Sequence, residues 1–153
     1  MTTIKEIPSF KAKDDKGHWL TSDELLGQPL VLFFYPKDFS PGCTAEVCSF
    51  RDSFQDFNDV GARVIGISQD DEASHKGFIE KHSLPFQLLS DENKELRKLF
   101  GVKGDLFGLI PGRETFVFDS KGKLIHHFRS QTKFEKHVAE SIQAIRDAEK
   151  KVD

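Results

Sequence analysis

The 153-residue chain reads as an α/β protein, a mixed central sheet with helices on both of its faces. Three observations carry that expectation. Leu30-Val31-Leu32-Phe33-Phe34-Tyr35 is an uninterrupted apolar run, the pattern of a strand covered on both sides. A helical stripe follows, with Cys43, Val47, Phe50, Phe54 and Phe57 recurring at intervals of four and three. A second apolar strand, Ala62 to Ser68, comes next, so strand and helix alternate.

The elements follow in order. Ser9 to Leu20 reads as a small N-terminal β-hairpin turning at Asp14-Asp15-Lys16-Gly17. Thr21-Ser22-Asp23-Glu24 has the residues to cap a short helix that ends at Gly27. After the Leu30–Tyr35 strand and a loop bounded by proline and glycine, a helix is expected from Cys43 to Val60, stopped by Gly61. Beyond the second strand, Asp71 to His82 reads as a helix and Phe86 to Leu89 as a short strand. Asn93 to Phe100 is a further helix closed by Gly101. Glu114 to Asp119 and Lys123 to Phe128 are two strands around the turn Ser120-Lys121-Gly122. Phe134 to Lys150 is a charged terminal helix with Val138, Ile142 and Ile145 facing inward. A hairpin near the C-terminus followed by a helix is what a thioredoxin-like fold shows, and residues 1–153 read as one such domain.

Bulk composition narrows the function. With 37% hydrophobic and 31% charged residues the chain reads as soluble and able to bury a core without metals or disulfide staples. A formal net charge of -3 gives no electrostatic reason to expect nucleic acid. The apolar runs are too short for a membrane span. Met1 to Glu6 has no apolar h-region, so the expected compartment is the cytoplasm; a plastid location would follow if a transit peptide had been removed ahead of Met1. With no export signal, the chain's two cysteines point to redox chemistry over a structural staple.

Those cysteines sit in one stretch, Pro36-Lys37-Asp38-Phe39-Ser40-Pro41-Gly42-Cys43-Thr44-Ala45-Glu46-Val47-Cys48. A thiolate, not a thiol, is the nucleophile, and a helix N-terminus favours it through free N–H groups and the helix dipole. Cys43 occupies such a terminus. A lone cysteine there would read as a small buried hydrophobe; the surrounding loop and a second cysteine reverse that preference. In an ideal helix Cys43 and Cys48 would lie about 8.6 Å apart between Cα atoms and about 140° apart around the axis. Disulfides rarely exceed about 7 Å between Cα atoms. The segment is therefore either helical or disulfide-bonded, and oxidation of the pair requires unwinding. The spacing is not Cys-x-x-Cys, and the six histidines show no zinc-ligand spacing with the cysteines. No metal or cofactor is expected.

Phe34-Tyr35-Pro36-Lys37-Asp38-x-Ser40-Pro41-Gly42-Cys43-Thr44-x-Glu46-x-x-Cys48-x-Phe50-Arg51-Asp52 resembles the active-site segment of peroxiredoxins, most of all the Q-type subgroup, also called bacterioferritin comigratory proteins. Asp105-Leu106-Phe107-Gly108-Leu109-Ile110-Pro111-Gly112-Arg113-Glu114-Thr115-Phe116-Val117-Phe118-Asp119 is similar to the Q-type enzymes of plastids and cyanobacteria. The likeness runs from Ile7 to Ile145.

The resemblance implies a role for each matching position. Cys43 matches the peroxidatic cysteine and Cys48 the resolving one, which together form an intramolecular disulfide. Pro36 matches a proline that shields the thiolate. Ser40 stands where a threonine usually holds the peroxide, a change that keeps the hydroxyl and loses a rotamer-fixing methyl. Arg113 matches an arginine beside the thiolate, and Glu46 a glutamate that orients it. Backbone N–H groups at Gly42 and Cys43 add donors. By themselves Arg113 would read as a surface arginine opening a strand, and Glu46 as a favourable first-turn acid. Ile7-Pro8-Ser9-Phe10 departs from the usual Ala-Pro-x-Phe lead-in, away from the chemistry.

The expected substrates are hydrogen peroxide and organic hydroperoxides, the expected reductant thioredoxin or a similar dithiol, and the expected state a monomer or weak homodimer. The apolar Leu106-Phe107-x-Leu109-Ile110 segment reads as pocket lining or a contact for a reductant or second subunit, and equally as loop packing onto the core. Two other classes use the same residues: a peroxide-sensing redox switch with little turnover, and a binding domain with inert cysteines.

Overall fold

In the computed structural model, which describes residue 2 and residues 4–104 and 112–152, seven strands form one mixed sheet. The N-terminal hairpin consists of β1 (Lys11–Asp14) and β2 (Trp19–Thr21), shorter than the expected Ser9–Leu20. The Asp14 carboxylate holds its turn by accepting from the backbone N–H groups of Lys16 and His18. A single 3-10 turn, Ser22–Leu25, stands where a short helix was expected, opened by a capping box between Thr21 and Glu24.

The apolar run forms β3 (Leu30–Phe34) at the heart of the sheet. It pairs in parallel with β4 (Arg63–Ser68), which pairs in parallel with β5 (Gln87–Ser90). On its other side β3 pairs antiparallel with β6 (Glu114–Phe118), which pairs antiparallel with β7 (Leu124–Arg129). The hairpin joins through β1 and β5, giving the order β2-β1-β5-β4-β3-β6-β7.

The uninterrupted apolar character of β3 has a plain cause, since both faces are covered. Val31, Phe33 and Tyr35 enter one core cluster, with α1 (Pro41–Asp52), α2 (Phe54–Asp59), α3 (Glu72–His82) and α5 (Phe134–Val152). Leu30, Leu32 and Phe34 enter the other, with α4 (Glu95–Phe100), the hairpin and the 3-10 turn. Phe33 and Phe50 stack at 4.2 Å between centroids and fix α1 over the end of β3. Complete burial of one such ring is worth roughly 1.5–3 kcal/mol.

The expected Cys43–Val60 helix differs at both ends and in the middle. It starts at Pro41, whose missing N–H costs nothing at the first helical position. It is interrupted at Ser53, whose φ of -101° and ψ of 11° end α1 and open α2. Asp52 and Ser53 are weak helix formers whose side chains compete for backbone groups. The break leaves Phe57 buried beside Phe50, while Phe54 is half-buried against Phe86. Gly61 follows α2, and Gly101 closes α4 with φ +69°, as the sequence led one to expect. Val138, Ile142 and Ile145 face inward on α5. The expectation for Leu106, Phe107, Leu109 and Ile110 lies outside the described residues. Among the described residues, no helix is long and apolar enough to cross a membrane.

Candidate active site

Cys43 sits at the carboxyl end of β3, in the first turn of α1. It is the third helical residue after the N-cap Ser40, and is wholly buried. The first helix bond runs from Thr44 N–H to the Ser40 carbonyl, so the N–H groups of Gly42 and Cys43 have no partner within the helix. Two donors converge on the sulfur. Arg113 Nη2 lies 3.3 Å from Sγ and the Lys37 N–H nitrogen 3.4 Å. Both point a hydrogen at the sulfur. Both thiols are free, and α1 is helical through Cys43 and Cys48, with Cys48 half-buried. This is the unbridged arm of the alternative the spacing posed.

Arg113 is buried just ahead of β6, not a surface residue. Its Nη1 donates to Glu46 Oε1 at 2.9 Å, and its Cζ lies over the ring of Phe134 of α5, 4.9 Å from the centroid. Gly42 leaves room for this packing. A Cβ there would meet Arg113 Nη2 at 3.3 Å and Phe134 Cζ at 3.4 Å. Glu46 lies on the inward stripe of α1, three residues from Cys43 and four from Phe50, and is fully buried. By residue type it read as a first-turn acid, and its burial was not legible.

Three groups were not anticipated. His137 of α5 is fully buried behind Glu46, with Nε2 3.6 Å from Oε2. The sequence signal was its place next to Val138 and four before Ser141 on the inward face. Buried Arg97 of α4 donates to the Tyr35 carbonyl at 2.7 Å and the Gly112 carbonyl at 2.9 Å. It thus clamps the residues just ahead of Pro36 and Arg113. Its backbone N–H and that of Leu96 donate to Asp91. Asp38 anchors the loop from below, accepting from Tyr35 Oη and Ser74 Oγ and facing His75 Nδ1 at 2.7 Å. Asp38, Asp70 and His75 are the grouping within metal-ligand reach among the described residues. Their ligand atoms are already engaged, Asp70 with Asp38 N–H and Ser68, His75 Nε2 with the Leu89 carbonyl.

The loop reaches α1 through Phe39, which takes φ +65° and leans on Phe78. Pro36 is half-buried between the buried Tyr35 and exposed Lys37. The Ser40 hydroxyl does not cap the helix; it donates to the Lys37 carbonyl at 2.9 Å.

Electrostatics at this site carry a testable consequence. Burial, against the pull of Arg113, raises the Glu46 carboxyl from 4.5 to about 7. Burial, against a hydrogen bond to the Ser130 carbonyl, lowers His137 from 6.5 to about 4. Between pH 4.5 and 7 the folded chain binds a proton at Glu46 that the unfolded chain has lost, so this contribution to stability falls as pH rises. Between pH 4 and 6.5 the unfolded chain binds a proton at His137 that the folded chain refuses, so that contribution rises with pH. The two oppose one another in the wild type. Glu46→Gln removes the first alone. Its stability relative to wild type should rise from pH 4.5 to 7 by up to about 3 kcal/mol, at ~1.4 kcal/mol per pH unit. Denaturant melts of both proteins across that range check it, and a constant difference would show that Glu46 does not titrate there.

Comparison with known proteins was consistent with this arrangement. The AhpC/TSA family model matches residues 4–127. The chain is 48% identical over 140 residues to peroxiredoxin Q, chloroplastic, of Triticum aestivum, covering 92% of this chain and 64% of that protein. It is 46% identical over 138 residues to peroxiredoxin Q, chloroplastic, of Sedum lineare, covering 90% and 74%. The chain thus spans less than two thirds of the length of the Triticum relative. Among solved structures, peroxidoxin BcpB from Mycobacterium tuberculosis superposes with TM-score 0.87 at 34% identity, over 96% of this chain and 97% of that one. Peroxiredoxin Q of Xanthomonas campestris superposes with TM-score 0.82 at 29% identity, over 90% of each. A thioredoxin-like sheet, a cysteine in the first turn of α1 and relatives of this kind over most of the chain lead to one conclusion: the chain belongs to the AhpC/TSA family and, within it, to the peroxiredoxin Q group.

Proposed function

We propose that the protein is a thiol-dependent peroxidase of one domain, residues 1–153, that reduces hydrogen peroxide and organic hydroperoxides. The observation that carries this reading is the convergence of Arg113 Nη2 and the Lys37 N–H on the buried Cys43 sulfur. The Cys43 thiolate attacks one peroxide oxygen, the O–O bond breaks, and the second oxygen leaves as hydroxide or alkoxide and takes a proton. Cys43 becomes a sulfenic acid. Arg113 holds the sulfur and, with the free N–H groups of Gly42 and Cys43, stabilises the charge on the leaving oxygen. Glu46 fixes Arg113. The Ser40 hydrogen is directed at the Lys37 carbonyl, so the Ser40 oxygen is left to accept from a peroxide O–H. The Pro36 ring limits water at the sulfur.

The Cys48 thiol then condenses with the sulfenic acid, releasing water and forming the Cys43–Cys48 disulfide before irreversible oxidation intervenes. A thioredoxin-like dithiol reduces that disulfide. We place the protein in the cytoplasm, or in a plastid as the names of the chloroplastic relatives indicate. We take it to be a monomer or weak homodimer with no nucleic-acid or membrane partner. A second reading has its own support: because α1 spans both cysteines, oxidation must change its shape, as a peroxide-sensing switch requires.

Peroxide consumption coupled to thioredoxin and its reductase tests both, with intact mass after one equivalent of peroxide. Wild type should turn over. Cys43→Ser should be inactive, and Cys48→Ser should stop at a sulfenic or overoxidised mass. Disulfide formation without turnover would favour the switch; no reaction in any variant would reject both readings.

A further inference from the structure

Glu46 is engaged on one side only. Its Oε1 accepts from Arg113, while Oε2 is buried with no hydrogen-bond partner among the described residues. Facing Oε2 at 3.6 Å is His137 Nε2. The neighbours of His137 fix which nitrogen carries hydrogen. Nε2 lies 2.9 Å from the Ser130 carbonyl, which can only accept, so Nε2 is protonated. Nδ1 lies 2.7 Å from Thr115 Oγ1 and, in the neutral ring, accepts that hydroxyl's hydrogen. The Nε2–H is therefore given to the Ser130 carbonyl, and Oε2 stands 3.6 Å from the same nitrogen, beyond a hydrogen bond but within reach of the positive end of that N–H dipole.

We propose that His137 is a positioning residue of the peroxide site: the positive side of its ring, 3.6 Å from Oε2, favours the carboxylate form of Glu46 that holds Arg113 against the Cys43 sulfur. Hydrogen bonds run from Cys43 through Arg113 to Glu46, and a 3.6 Å approach carries on to His137 in the first turns of α5, whose Phe134 ring lies under the Arg113 Cζ. The inference rests on the peroxidase reading, because the placement of Arg113 matters through the reaction.

The chemistry is specific. A carboxylate pairs with the guanidinium and fixes its plane; a neutral acid does so weakly and leaves Arg113 free to turn. Burial drives Glu46 toward the neutral acid, and its midpoint near pH 7 makes the balance sensitive to a single donor. The charged and titratable groups that act on His137 are Glu46 from α1, Arg113 from the residue just ahead of β6, His127 from β7 and Glu140 from its own helix. Arg113 and His127 disfavour a second proton on the ring, as burial does, so His137 acts as a neutral donor and not as a cation.

The experiment compares wild type with His137→Leu and His137→Met, which remove the donor, and His137→Gln, which retains an N–H. Three readings are taken: an infrared titration of the buried carboxyl band, assigned by its loss in Glu46→Gln; the pH profile of peroxide reduction; and the rate of Cys43 alkylation. Nitrogen NMR shifts of His137 in wild type give the tautomer without any substitution. The apolar variants should move the Glu46 titration and the acid limb of peroxide reduction upward together by about one pH unit, a tenfold change in proton affinity. Cys43 alkylation near neutral pH should change little, and His137→Gln should restore both midpoints. An unmoved carboxyl band in variants that fold, or the Nδ1–H tautomer in wild type, would overturn the proposal. If wild type fails to reduce peroxide while the band still moves, the peroxidase reading fails and the hold of His137 on Glu46 stands.

Discussion

Arg113→Met should slow peroxide reduction by a factor on the order of 10² to 10³, the usual cost of removing a donor aimed at developing negative charge. Two contacts disappear together, the 3.3 Å approach to the Cys43 sulfur and the 2.9 Å hydrogen bond to Glu46. The variant should nevertheless fold near neutral pH. Glu46 loses its cation, but a carboxyl already raised to about 7 by burial takes up a proton in response. Arg113→Lys should recover little of the rate. An ammonium is a point donor on a flexible stem, whereas the guanidinium fork meets Glu46 with one nitrogen and Cys43 with the other. Stopped-flow measurement with hydrogen peroxide checks the rate, and alkylation of Cys43 by iodoacetamide supplies the contrast. Alkylation needs only the thiolate, while peroxide cleavage also needs charge stabilised on the departing oxygen. If Arg113→Met slowed both reactions equally, Arg113 would act on the sulfur alone and the transition-state role would be lost.

The sequence placed Cys43 on the inward face of its helix because it opens a stripe with a period close to 3.6 that continues through Val47, Phe50, Phe54 and Phe57. The run Leu30–Tyr35 announced a doubly covered strand for the same reason: the pattern is local, and burial is its only cause. The break at Ser53 was not legible, since the stripe continues through Phe54 and Phe57 and a small tilt between two helices leaves the spacing intact. The burial of Arg113 depended on an acid far away in the chain, and residue type alone pointed to the surface. Arg97 was hidden for a similar reason. Its partners are backbone carbonyls of Tyr35 and Gly112, which carry no signature in sequence. His137 lay on a visible inward face, yet a polar residue on a charged terminal helix gives no hint that its neighbour is a half-paired carboxylate.

Oxidation by one equivalent of peroxide should strip amide protection from the first turns of α1, at least from Thr44 to Ser49, while α2 and β4 stay protected. The two thiols share one continuous helix, and a helical spacing of five residues sets their Cα atoms about 8.6 Å apart, beyond the reach of a disulfide at about 7 Å. Bond formation must therefore break the ladder that begins with the 2.9 Å bond from Thr44 to Ser40. Any movement of Cys43 toward Cys48 also gives up its contacts with Arg113, with the Lys37 N–H and with the buried cluster it shares with Val47 and Phe50. The stack of Phe50 on Phe33 opposes further unwinding, and the break at Ser53 separates α2, whose own anchor is the buried Phe57. Hydrogen exchange with mass detection on reduced and oxidised protein measures this directly. In the oxidised protein the Thr44–Ser49 amides should exchange close to the rate of an unstructured chain. Cys48→Ser should keep its helix after the same treatment and progress with more peroxide to a sulfinic mass. A disulfide mass accompanied by unchanged protection would mean that some route other than unwinding joins the sulfurs. Loss of protection extending through Phe57 would mean that the Ser53 break does not confine the change.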